Sequence, residues 1–175
     1  MQNILNNEKM YILNVYPFEE VEYKLIELMK NNKFTLERNE NGKSLLITCY
    51  FAALVSRVWD AWTKSALLEM WWAPKPWKTE TKTMDMRPGG LWLYTMCGPD
   101  GEKHWSRADI ITVDPVNCLI IDQAFCDENG SINTSLPKMR WAITFAQEGE
   151  NTKVSVEITC DKPEDLRTMV EMGME

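Results

Sequence analysis

Apolar residues recur along this chain with two different spacings. Near the start, Phe18, Val21, Leu25, Leu28 and Met29 return every three or four positions with Glu and Lys between them. That spacing predicts an amphipathic helix over about 18–31. Asn31, Asn32 and the run Asn39-Glu40-Asn41-Gly42 are turn signals. Residues 1–42 therefore read as an N-terminal appendage and 43–175 as the main domain. The domain opens with SLLITCYF at 44–51, apolar and partly β-branched, which reads as a strand. Two short helices follow, over about 55–62 and 65–72, and Pro74 and Pro76 end the pair.

After Trp77 the period drops to two. Strands are expected over 77–85, through Trp92, Tyr94 and Met96, and over 103–113, 117–125, 138–146 and 152–159, separated by turns such as Gly98-Pro99-Asp100-Gly101. Val154, Val156 and Ile158 alternate with Lys153, Ser155 and Glu157, the mark of an antiparallel sheet with one wet face. Asp161 as N-cap, Pro163 at the first helical position and Glu164-Asp165 in the first turn start a last helix. The fold class is α+β, with a seven-stranded antiparallel sheet, two short helices and a C-terminal helix. The apolar sheet face needs a cover, which only the helix pair and the last helix can supply.

Three segments, FAALVSRVWDAWTKSALLEMWWAPKPW, MDMRPGGLWLYTMCGPDG and the late NTKVSVEI with MGME, resemble the AHSA-like family, homologues of the C-terminal domain of the heat-shock chaperone ATPase activator. That family sits within the START-like, helix-grip superfamily (SRPBCC), and the similarity spans about residues 44–175. It implies a curved sheet gripping a long C-terminal helix around a hydrophobic cavity, with ligand binding and stress response as the associated roles. This chain departs from the family in three ways. Its last helix would hold only about thirteen residues. Its appendage is too short for the activator's separate chaperone-contacting domain and lacks that domain's tryptophan-rich motif. Asp109 stands where relatives carry an apolar or small residue.

Composition narrows the chemistry. The charge is 19 − 26 = −7 over 175 residues, which disfavours nucleic acid. No apolar run is long enough to span a membrane, and the polar N-terminus lacks the basic start of a signal peptide. Five scattered cysteines without a CxxC pair read as reduced thiols, hence a cytoplasmic protein. A single histidine, His104, argues against a zinc site and against most nucleophile-histidine schemes. Asp60, Glu69, Asp85 and Asp122 show no spacing that makes an acid/base pair. The one Gly-Gly, in Arg87-Pro88-Gly89-Gly90, precedes a strand, so it reads as a turn and not a phosphate loop.

Eight tryptophans and eleven methionines remain, material that fills cores and also suits an adaptable apolar cavity. Trp72, Trp77, Trp92, Tyr94, Met96 and Trp141 are the expected walls, with His104 or Arg107 orienting a polar end. The reading is a binder of a small apolar or amphipathic molecule, without cofactor, metal, nucleic-acid or membrane partner, as monomer or homodimer. One alternative is a protein-interaction module docking a partner through the Trp/Pro edge or the 18–31 helix. A second is an enzyme working in the cavity, with His104 as its acid/base group; the scarcity of such groups weighs against it.

Overall fold

The segment between the two asparagine-rich turns, counted above with the appendage, is a strand. The computed structural model describes residues 34–171, and the expected helix at 18–31 lies outside them. Strand β1 (Phe34–Arg38) pairs antiparallel with β2 (Ser44–Phe51). Gly42 takes φ 69° and donates its N–H to the Asn39 carbonyl at 2.9 Å, so the Asn-rich run is a hairpin turn. The expectation of seven strands is thus corrected to eight among the described residues, and the first of them lies within the segment assigned to the appendage. Leu36 is the residue of β1 that packs against the core, too little to show as an alternating run.

Helices α1 (Val55–Thr63) and α2 (Ser65–Trp71) follow β2. Then come β3 (Lys78–Met84), β4 (Leu91–Cys97), β5 (Lys103–Asp114), β6 (Cys118–Phe125), β7 (Met139–Glu148), β8 (Asn151–Cys160) and helix α3 (Pro163–Glu171). All eight strands form one antiparallel sheet in the order β1-β2-β8-β7-β6-β5-β4-β3. Hairpins join β3 through β8, whereas β2 reaches its place beside β8 across the helix pair.

Alternation decides which face is inside. On β8, Val154, Val156 and Ile158 are buried; on β7, Met139, Trp141, Ile143 and Phe145; on β5, Ser106, Ala108 and Ile110. The helices bear on this face chiefly through α2 on β3, α1 on β7 and β8, and α3 on β8. Val58, Trp62, Leu68, Trp71, Leu166 and Met169 supply their buried side. Helix α3 starts at Pro163, as expected, but its N-cap position is Lys162 rather than Asp161: the Lys162 N–H donates to the Asp165 carboxylate at 3.2 Å, and the Asp165 N–H returns to the Lys162 carbonyl.

The opposite face is not all wet. Leu93 and Thr95 of β4 are buried there, beside the 126–138 connection. Lys82 donates to the Glu128 carbonyl at 2.6 Å and Arg107 to the Gly130 carbonyl at 2.7 Å, which fixes that connection on the sheet. The Arg87-Pro88-Gly89-Gly90 run joins β3 to β4: Gly89 takes φ 81°, and a Cβ on Gly90 would collide with the Asp85 carbonyl oxygen. Arg87 is exposed and paired with Asp85.

Candidate functional site

The inward row of β4 sets the floor of the helix-covered face. Trp92 and Tyr94 lie stacked, centroids 4.0 Å apart, and both are buried. Trp141 comes from β7. Trp72 follows α2 and reaches all three, at 5.0 Å from Trp92, 6.0 Å from Tyr94 and 5.5 Å from Trp141. Trp62 and Trp71 back it edge-on at 6.2 and 5.4 Å. Edge-to-face contacts of this kind add about 0.5–1.5 kcal/mol each beyond area burial.

The polar atoms of this interior are unevenly served. Gln123 on β6 donates its Nε2–H to the Tyr94 hydroxyl oxygen at 2.6 Å. Trp92 Nε1–H donates to Thr81 Oγ1 at 3.1 Å and Trp71 Nε1–H to the Ala61 carbonyl at 3.0 Å. Trp141 Nε1, Gln123 Oε1 and Thr79 Oγ1 are buried with no hydrogen-bond partner among the described residues, as is Thr95 Oγ1 on the far face. Burial pushes the Tyr94 phenol well above its ordinary 10.0, against hydrogens from Trp72 and Ser106 that favour its ionised form. No Lys, Arg, His, Asp or Glu is buried among the described residues.

The eight residues singled out from the sequence fall into three places. Trp72, Trp92, Tyr94 and Trp141 meet in the interior. Trp77, Met96 and His104 lie toward one end: Met96 pairs with His104 across the β4–β5 ladder, and the exposed His104 stands edge-on to the half-buried Trp77 at 5.0 Å. Arg107 alternates onto the other face, where its guanidinium holds Asp109 and the Gly130 carbonyl. It therefore does not share the aromatic floor it was expected to serve. The same pair accounts for Asp109, the position out of pattern. Gln123 was missed, although its sequence signal existed: it continues the inward row Leu119, Ile121 as a polar residue.

The other acidic candidates are occupied separately. Asp60 pairs with Lys64, Asp122 with Arg140, and Glu69 accepts the Thr81 N–H at 2.9 Å. Among the described residues no three His, Cys, Asp or Glu side chains group as metal ligands, and no helix is long and apolar enough to cross a membrane. Burial raises the thiols of Cys97, Cys118 and Cys126, and takes Cys160 from 9.0 to about 11.

An antiparallel sheet covered on one face by a helix pair and a terminal helix, with an aromatic interior, defines a helix-grip protein of the α+β class. The chain belongs to the family described as Activator of Hsp90 ATPase homolog 1-like protein, whose family model matches residues 52–175. A solved structure from Mycobacterium smegmatis is 32% identical, covering 80% of this chain and 86% of that one, with a TM-score of 0.73. A solution structure from Arthrobacter aurescens is 29% identical over 80% of this chain and 81% of that one, with a TM-score of 0.75. The AHSA1 protein of Silicibacter pomeroyi shares the fold at 15% identity, covering 73% of this chain and 88% of that one, with a TM-score of 0.59. Comparison with curated proteins gives no match.

Proposed function

We propose that this chain holds a small apolar or amphipathic molecule against the helix-covered face of its sheet and performs no chemistry on it. The observation that carries this reading is the position of Trp72. The helices bear chiefly on β3, β7 and β8, while Trp72 stands over Trp92, Tyr94 and Trp141. It follows α2 directly, before Ala73 and Pro74, and displacement of this side chain is the route by which a guest would reach the floor. A guest sliding under it gains ~0.8 kcal/mol for each CH₂ taken from water. Aromatic faces suit flat or flexible apolar groups alike. The exposed His104, set against Trp77, and the separately paired carboxylates support binding over turnover.

Native mass spectrometry of the full chain, purified from its own host, tests the reading. The expected result is an added mass that disappears on denaturation. Apolar and aromatic probes should also raise the melting temperature and quench tryptophan emission. A bare mass together with no probe response would sink it.

A further inference from the structure

Among the described residues the interior holds, besides the Thr79 hydroxyl, one hydrogen-bond donor and one acceptor without a partner. Trp141 Nε1–H is a donor only, and Trp141 is 6% exposed; Gln123 Oε1 is an acceptor only, and Gln123 is 9% exposed. The register places Ile121 opposite Trp141 and Gln123 opposite Met139. Gln123 and Trp141 are therefore diagonal neighbours on the inward face, a separation long side chains span. In the orientation observed, Gln123 gives its Nε2–H to the Tyr94 hydroxyl, which leaves Oε1 as the open end of the amide. The other buried indoles with a resolved bond, Trp71 and Trp92, have their N–H groups satisfied within the chain, so the orphaned N–H is particular to Trp141.

Charge decides what kind of group fits. With no cationic or anionic side chain buried among the described residues, a carboxylate or ammonium brought here would stay uncompensated, which an apolar interior does not tolerate. We infer that the polar end of the ligand is an uncharged group carrying an acceptor and a donor side by side, as in a primary carboxamide. Its carbonyl accepts from Trp141 Nε1–H, and its N–H donates to Gln123 Oε1. This rests on the binding function proposed above and specifies the ligand class within it.

Tryptophan fluorescence titration of the full chain with octanamide, N,N-dimethyloctanamide and octanoate at neutral pH separates the two ideas. All three share an acyl chain; the second has lost its donor and the third is charged. The expected order is octanamide tightest, at least about tenfold over either analogue, since each analogue leaves a buried group unpaired or a charge bare. Gln123→Leu should erase the preference over the dimethyl amide. Trp141→Phe, which keeps the aromatic packing, should weaken both amides. Equal binding of the three probes would overturn the amide pairing and leave the binding function standing. Binding of none would overturn both.

Discussion

At the scale of single residues, two arginine–carboxylate pairs on the outer face look alike and differ in consequence. Asp109 and Asp122 stand directly opposite one another in the β5–β6 ladder, where like charges destabilise. Each is turned to its own arginine. The Arg107 side chain is 24% exposed and also holds the Gly130 carbonyl, whereas that of Arg140 is 57% exposed and holds Asp122 alone. Arg107→Ala should cost about 1–2 kcal/mol in urea unfolding. Arg140→Ala should cost no more than about 1 kcal/mol. Equal losses for the two would mean that the Gly130 bond contributes nothing.

Titration gives a second prediction at this scale. The Cys160 thiol, raised from 9.0 to about 11, and the Tyr94 phenol, raised above 10.0, keep their protons in the folded chain at pH values where the unfolded chain releases them. The folded state then binds more protons than the unfolded one, so stability falls as pH rises through that interval. Below about pH 9 these groups leave stability flat; above it the urea midpoint should drop, and Cys160→Ala should make that drop smaller. With all resolved thiol shifts upward, maleimide labelling at neutral pH should be slow until the chain is unfolded.

At the scale of elements, α1 borrows its cap. Leu54 occupies the N-cap position and has no side-chain acceptor to offer. The acceptor comes from β7: Gln147 Oε1 takes the Val55 N–H at 2.8 Å, while Gln147 Nε2 donates to the Gly149 and Asn151 carbonyls that turn β7 into β8. Gln147→Ala should cost about 1 kcal/mol, the typical worth of a helix cap. Amide exchange should show the first turn of α1 opening more often, with the centre of β7 unaffected. A loss spread evenly over the sheet would contradict the cap.

Elements with strong alternation or a helical stripe were legible in the sequence, and the helix pair and six of the seven expected strands start within a residue of where they were placed. The strand through Trp92, Tyr94 and Met96 was located by its inward row alone. β1 was not legible because an edge strand needs one buried neighbour, and Leu36 is a half-buried residue that supplies such a contact. Asn-Gly flanked by a short polar run then reads as linker as easily as hairpin. The candidate site was half legible. Period two put Trp92, Tyr94 and Trp141 on inward rows. Whether Arg107 looked in or out turned on the parity of a single strand, and Gln123 escaped because a lone polar residue in an apolar row was not weighed.

For the whole molecule, the order β1-β2-β8 makes the short first strand a guard. β2 is apolar, and β1 covers its free edge with Thr35 and Glu37 exposed. A chain beginning after Arg38 should keep its helices by circular dichroism yet associate through the bared edge of β2. Light scattering should rise with concentration. A monodisperse monomer would show that β1 is dispensable.

The same order has a consequence in time. β2 ends at residue 51 and the neighbour that completes its ladder, β8, starts at 151. At about 5–20 residues per second, a ribosome delivers the second roughly 5–20 s after the first. During that interval the nascent chain carries an apolar ribbon with one flank open, and the hairpins of β3 to β7 can assemble without it. The seam between β2 and β8 closes last in synthesis, so a ribosome stalled short of residue 151 releases a sheet with two unfinished borders, the form most prone to clump.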